Sequence, residues 1–325
     1  MTPLRRRRIL AAAAACVATI GVPAQTRDKP RIALLSGARQ ADTAHLVEAL
    51  LGELRALGYE DGRTMDFDAR YADYSDAQGE RLAAEIAARK PAVIVANGRG
   101  IDLAFRLSPL PMVFIHSGNP VDAGFVDSLP RPGRHATGIS LMALDLVAKR
   151  MEFLKQLRPQ LRRLALIASP EHAGQQRELE ASRAGAAAFG FEVRYHEART
   201  PAELTAALPQ VTEGRPDAAL LFSDALMFGQ RQPLAAFFLD RKIPSGAGYS
   251  AFPESGHVMS YGPERKAVWR RVAHFVDRIV KGARPSELPV ELPTVFELVI
   301  NRRSAQAMNL VVPPQLMVLA DRVIG

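Results

Sequence analysis

Short apolar runs alternate with longer amphipathic segments along most of this chain. Arg31-Ile-Ala-Leu-Leu35 ends at Ser36-Gly37, the run 92–96 ends at Asn97-Gly98, and the run 112–115 leads to Ser117-Gly118-Asn119-Pro120. Runs this short, rich in β-branched and aromatic residues and bounded by breakers, read as buried strands rather than helices. Between them, residues 41–57 repeat Leu46, Val47, Leu50, Leu51, Leu54 and Leu57 at three- and four-residue spacing and stop at Gly58. That spacing makes one apolar helix face with a glycine terminator. Residues 64–71 alternate enough for a strand, 76–89 place Leu82 and Ile86 inward on a helix before Pro91, and 101–107 form a short helix. Strands separated by helices need crossover connections, so the pattern predicts βαβ units and a parallel sheet.

The second half repeats the plan. Helices are expected over 142–157 (with Leu144, Val147, Met151, Leu154 and Leu157), 175–189, 202–211 and 228–241, the last interrupted by Pro233. Strands are expected over 137–140, 164–168, 191–196, 217–222, 243–248 and 257–261. Val268, Val272, Phe275, Val276 and Ile279 share one face of a helix over 267–280, which Gly282 and Pro285 stop. A lone strand at 295–300 follows Pro289 and Pro293; after a complete lobe it suggests a return crossing. The class is α/β, with two Rossmann-like lobes built on parallel sheets. The length of 325 residues suits two domains.

The first residues are a separate matter. Arg5 to Arg8 form a positive region, 9–22 is an apolar run of small residues, and Val22-Pro23-Ala24 places small residues at −3 and −1 of a cleavage site before Gln25. This is the pattern of a secretory signal peptide. A membrane anchor needs roughly 20 apolar residues, more than this run holds. Cys16, the sole cysteine, lacks the leucine at −3 that lipidation normally uses. Cleavage after Ala24 leaves a chain without cysteine, which excludes disulfides, thiolate metal sites and a thiol nucleophile. It also removes four arginines from a chain of formal net charge +8, so the basic balance is partly a targeting feature and gives no argument for nucleic acid.

In open parallel sheets, ligands sit just outside the carboxyl ends of the strands. The strand ends that would face each other across a cleft carry Ser36, Asn97, Ser117, Asn119 and Thr137 from the first half, and Ser169, Asp224, Tyr249 and Tyr261 from the second. This set is neutral, hydrogen-bonding and partly aromatic, with one carboxylate, and suits a small polar or zwitterionic solute. Asp224 can take an ammonium, backbone amides near Gly98 and Gly118 can take a carboxylate, and the two tyrosines can stack on a planar group. Taken singly, each residue also fits a helix cap, a turn position or a core tyrosine, and the Pro/Gly-rich stretch after 115 also fits an ordinary surface loop. Signals of catalysis are weak. The segment 248–252 approaches a nucleophile elbow but lacks its last glycine, and 98–103 lacks the third glycine of a dinucleotide fingerprint. The seven histidines include no i, i+4 pair. No catalytic residue, metal ligand or cofactor is assigned.

The tail Gly282-Ala-Arg-Pro-Ser-Glu-Leu-Pro-Val-Glu-Leu-Pro-Thr-Val-Phe-Glu-Leu-Val-Ile-Asn301, followed by 305–314, resembles the C-terminal signature of the ABC-transporter substrate-binding proteins related to the tryptophan-binding protein TrpX. Supporting matches are 122–133 (Asp-Ala-Gly-Phe-Val-Asp-Ser-Leu-Pro-Arg-Pro-Gly), Thr137-Gly138 and 259–262 (Met-Ser-Tyr-Gly). The resemblance covers nearly all of the chain after the leader, and the tail and the Pro-Gly loop are its specific parts. It implies a type I periplasmic-binding-protein fold, with two lobes joined by a three-crossing hinge and closing on a solute. On this reading residues 1–24 are the signal peptide, 30–138 with about 260–285 form the first lobe, and 139–259 with about 286–325 form the second. The family's Ser-Asp-Pro after the fourth strand is here Ser117-Gly118-Asn119-Pro120, one residue longer and without the acid. Its Thr-Pro-Ala-like segment after the third strand is here Asn97-Gly98-Arg99, whereas Asp224 retains an acid common in the second lobe. The function implied is that of a monomeric periplasmic solute-binding protein of an ABC importer, without catalysis. It would deliver an amino acid or related solute to an inner-membrane permease and its ATPase. A periplasmic sensor serving a receptor, or a periplasmic enzyme, are the alternatives. A LacI-like repressor shares the fold, but the leader stands where its DNA-binding helices would be.

Overall fold

Two sheets organise the described residues, 29–141, 146–170 and 175–325, of this computed structural model. The expected leader and the start of the helix expected from 142, Leu144 included, lie outside the described residues. The first sheet is built from β1 (Arg31–Ser36), α1 (Gln40–Ala56), β2 (Asp66–Tyr71), α2 (Asp76–Ala88), β3 (Val93–Asn97), α3 (Gly100–Leu107), β4 (Met112–His116) and β5 (Ala136–Ser140). Its order is β2-β1-β3-β4-β5 and every pair is parallel.

The second unit begins with α4 (Val147–Leu157), β6 (Arg163–Ala168), α5 (Gln175–Ala188), β7 (Glu192–Glu197), α6 (Pro201–Glu213) and β8 (Ala218–Leu221). It continues through α7 (Ala225–Gly229), α8 (Arg231–Asp240), β9 (Ser245–Ala247), α9 (Ala251–Glu254) and β10 (Met259–Pro263). The next helix, α10 (Arg265–Val280), goes back to the first unit and packs along α1. Finally β11 (Phe296–Asn301), α11 (Arg302–Ala307), α12 (Pro314–Leu319) and β12 (Arg322–Ile324) complete the second sheet in the order β12-β11-β10-β9-β8-β6-β7. There β10 and β11 are antiparallel and the other pairs parallel. The chain thus passes between the units after β5, after β10 and before β11. This is the two-lobed α/β architecture expected from the alternating sequence.

The pattern was readable because the central strands are covered on both faces. Ile32 to Leu35, Val93 to Ala96 and Met112 to Ile115 are all buried, as strands of a doubly covered parallel sheet must be. Leu46, Leu50 and Leu54 of α1 meet Val268, Trp269, Val272 and Val276 of α10 on one face, while Leu82, Ile86, Ile101 and Leu103 cover the other.

Three local readings change. The helix expected over 228–241 is two helices, α7 and α8, broken at Gln230. Pro233 falls in the first turn of α8, where an amide has no intrahelical partner, so the ring does not break the helix. The strand expected at 257–261 is displaced to Met259–Pro263. Short elements of the tail, α11, α12 and β12, carry too few residues for periodicity to show and were not anticipated.

The first sheet holds the chain until about residue 291. Val290 N–H donates to Leu129 O at 2.8 Å, Glu291 N–H to Gly138 O at 2.9 Å, and the buried Thr137 hydroxyl to Leu288 O at 2.6 Å. Gly138 has φ +153°, and a Cβ there would lie 2.1 Å from Phe114 O, so the strand pair closes only over glycine. Thr137→Val keeps the shape and removes the donor. It is expected to lower unfolding free energy by about 1–3 kcal/mol in urea titration, the cost of leaving a buried carbonyl without its partner; an unchanged midpoint would assign no such role to Thr137.

Candidate ligand-binding cleft

A cleft of about 460 Å3 lies between the two sheets, and much of its lining comes from the residues that follow β1, β3, β4, β6 and β8. Asn97, Gly98, Ser117, Ser169, Asp224 and Tyr249 all line it. Four other candidates do not. The Ser36 hydroxyl accepts from Ala38 N–H at 3.2 Å inside the β1 turn, and Asn119 Oδ1 accepts from Val121 N–H at 2.9 Å. Thr137 clamps the tail, as above. Tyr261 sits edge-on to Phe153 at 5.1 Å and stacked with Phe296 at 6.3 Å, within the second lobe's core.

Asp224 is the N-cap of α7. Its Oδ1 accepts from Met227 N–H and its Oδ2 from Ser169 N–H, both at 2.8 Å, so the carboxylate ties the end of β8 to the end of β6. Burial pushes its carboxyl up to about 6 against the pull of those amides. Each carboxylate oxygen retains capacity for a further donor. Across the cleft, Asn97 Oδ1 is buried without a hydrogen-bond partner among the described residues. Phe228, Tyr249, Ile115, Leu141 and Val268 supply the apolar part of the lining.

Beneath the second lobe's wall lies a buried guanidinium. Arg150 Nε donates to Tyr261 O at 2.9 Å, and its Nη1 is 3.9 Å from Glu178 Oε1, both side chains being almost fully inaccessible. Burial pushes the Glu178 carboxyl up to about 7 despite that neighbour. Gly248 lets the wall settle onto this pair: a Cβ at 248 would sit 2.3 Å from Ser223 Oγ and 2.8 Å from Arg150 Nη2.

Several charged residues that tie the lobes together or line the cleft escaped sequence reasoning. On α1, Asp42 pairs with Arg231 of α8 at 2.5 Å and accepts from the Tyr74 hydroxyl at 2.9 Å, which joins the two lobes through largely buried groups. At another point, Arg177 of α5 meets Asp122 at 2.7 Å. Arg99 pairs with Asp76 at 2.6 Å at the cleft's rim. Arg265, the first residue of α10, lines the cleft with its guanidinium 5.0 Å from the Phe228 ring and 5.2 Å from the Tyr249 ring. No local motif marks these residues, because Asp42 and Arg231 are separated by 189 positions and meet only in the fold. Among the described residues no group of three or more His, Cys, Asp or Glu is placed to hold a metal ion, and no helix is long and apolar enough to cross a membrane.

The family model of the ABC transporter substrate binding proteins matches residues 39–324. The chain belongs to this family. The match runs from just after β1 to the last residue of β12, so it takes in every strand of the two sheets except β1. This ABC transporter substrate-binding protein is 22% identical over 271 residues to a tyrosine-binding protein of Clostridioides difficile, covering 82% of this chain and 77% of the relative. Among solved structures, a conserved domain protein from Vibrio cholerae aligns with TM-score 0.85 at 22% identity, over 91% of this chain and 99% of the other. An ABC domain from Streptococcus pneumoniae in complex with L-Trp aligns with TM-score 0.85 at 19% identity, over 91% and 100%. At these identities the likeness establishes a shared fold, which is that of the type I periplasmic binding proteins.

Proposed function

We propose that this protein is the exported solute-capture component of an ABC importer. It takes an amino acid or a related small polar solute into the cleft as a monomer and delivers it, chemically unchanged, to an inner-membrane permease driven by its ATPase. The carrying observation is the cleft itself: strand-end polar groups from both lobes converge on one space with an aromatic and aliphatic flank. Such a lining grips a zwitterionic head and an apolar side chain together. Asn97 Oδ1, an acceptor without a donor among the described residues, suits an ammonium, and Asp224 adds negative charge on the facing lobe. Ser117, Ser169 and Gly98 offer further polar contacts. The relatives add support, since one is a tyrosine-binding protein and another was solved with L-Trp. The leader pattern at 1–24 supports export to the periplasm.

The chain passes between the lobes after β5, at Glu264 and at 292–295, and closure on a solute would turn about these passages. A solute that touches both sides favours the closed arrangement by its differential contacts. Thermal unfolding of the chain from Gln25 onward is the test, run against amino acids, nucleosides and small carboxylates. A solute at 100 times its dissociation constant should add about 2.7 kcal/mol of stability. A rise with an aromatic or branched amino acid is expected. No response to any of them, with no solute released from the denatured protein by mass spectrometry, would overturn the reading.

A further inference from the structure

One cation in the cleft has no acid of its own. Arg265 is half-buried, and among the described residues it makes no hydrogen bond or ion pair with the protein. The acids around it are engaged elsewhere. Asp42 gives one oxygen to Arg231 and the other to the Tyr74 hydroxyl. Glu264, its chain neighbour, accepts from the amides of Lys266 at 2.9 Å and Ala267 at 2.6 Å. Asp224 faces the amides of Ser169 and Met227. Among the described residues, Arg231 and Arg265 therefore share the charge of Asp42, and Arg231 Nε is itself buried without an acceptor there.

What holds Arg265 is aromatic. Its guanidinium lies over the rings of Phe228 and Tyr249, contributed by the opposite lobe, which fixes the group's position while its donors meet no acceptor among the described residues. A guanidinium partly withdrawn from water without a counter-charge gains from an anion brought to it. Its planar fork matches a carboxylate, which it can bind through two parallel hydrogen bonds.

We infer that Arg265 is the anion anchor of the cleft and that the solute carries a carboxylate, held by this fork while Phe228 and Tyr249 flank the adjoining apolar part. The inference rests on the solute-capture reading and narrows it. Carboxylate-bearing solutes are accepted; neutral polyols, sugars and nucleosides are not.

Calorimetry tests this with L-tyrosine, L-tryptophan and L-leucine, their carboxamides, the amines tyramine and tryptamine, small aliphatic carboxylates, and neutral sugars and nucleosides. The wild-type protein is expected to bind its best acid about 100-fold more tightly than the matching carboxamide, the effect of removing one partner of a desolvated charge pair. In Arg265→Gln that preference collapses: the acid weakens about 100-fold and the carboxamide is nearly unchanged. Arg265→Lys keeps the charge without the fork and falls between. An acid-to-carboxamide ratio unaltered in Arg265→Gln overturns the anchor and leaves solute capture standing, as does a neutral solute that binds more tightly than every carboxylate. Should either variant fail to fold, the wild-type comparison decides, since equal affinity for acid and carboxamide overturns the anchor. Failure of every probe to bind, with no solute released on denaturation, overturns both readings.

Discussion

Arg150→Leu is expected to destabilise the protein by about 3–5 kcal/mol near pH 8, the largest effect of any single substitution considered. The guanidinium is 2% exposed, its Nε donates to Tyr261 O at 2.9 Å, and it lies 3.9 Å from the equally inaccessible Glu178. Leucine strips the Tyr261 carbonyl of a donor, removes positive charge beside a buried carboxyl, and leaves space beneath Gly248. The electrical part depends on pH in a definite sense. Burial raises the Glu178 carboxyl from 4.5 to about 7 in the folded protein, so the folded state holds that proton more tightly than the unfolded chain does. Stability from this group is fully present below its unfolded value and is lost as pH climbs through about 7. Without Arg150 the carboxyl rises further, so the deficit should be largest at pH 8 and shrink toward pH 5. Urea midpoints at the two pH values would decide. An equal deficit at both would reduce the effect to lost packing and one hydrogen bond.

Asp224→Ala should cost about 2–4 kcal/mol near pH 5, through loss of the α7 cap and an orphaned Ser169 amide. Here the pH trend runs the other way. Burial raises the Asp224 carboxyl from 3.8 to about 6. Its protonated form therefore favours folding below 3.8, and that advantage disappears as pH rises through about 6. Alanine has no such penalty to bear at pH 8, so its deficit should be smaller there than at pH 5. Parallel trends in the two variants would refute the account of at least one. The ligand role of Asp224 is separable through Asp224→Asn, which retains a side-chain acceptor for Met227. On the proposed reading it weakens binding of an amine-bearing solute by about 2 kcal/mol or more. Unchanged affinity in calorimetry would leave the residue as a cap alone.

Those two residues also illustrate what a sequence discloses. Asp224 was legible because it follows an apolar run, and strand ends in parallel sheets face ligand crevices. The same rule located Asn97, Ser117 and Ser169 on the cleft. It could not tell which face a side chain takes, so Tyr261 was assigned to the cleft although β10 turns it between Phe153 and Phe296. Thr137 misled because it is the second residue of β5, not its end, and its partner Leu288 is 151 positions away. Arg265 carries no mark in sequence at all. It reads as the start of an amphipathic helix, and its interest arises only when Phe228 and Tyr249 arrive from the other lobe. Periodicity records which way an element faces; it is silent on which elements meet.

The ties of Asp42 to Arg231 and of Asp122 to Arg177 join the lobes through their own side chains, whatever the cleft contains. If solute enters by parting the lobes, both ties must break on opening and re-form on closure. They would then multiply the apparent affinity for every solute by one common factor, because they set how much of the empty protein is already shut. Sensitivity and selectivity would reside in different places. Exchanges at 42, 122, 177 or 231 would change the concentration at which the protein fills without reordering the solutes it prefers, so related chains could be matched to scarce or abundant supply while keeping the same diet.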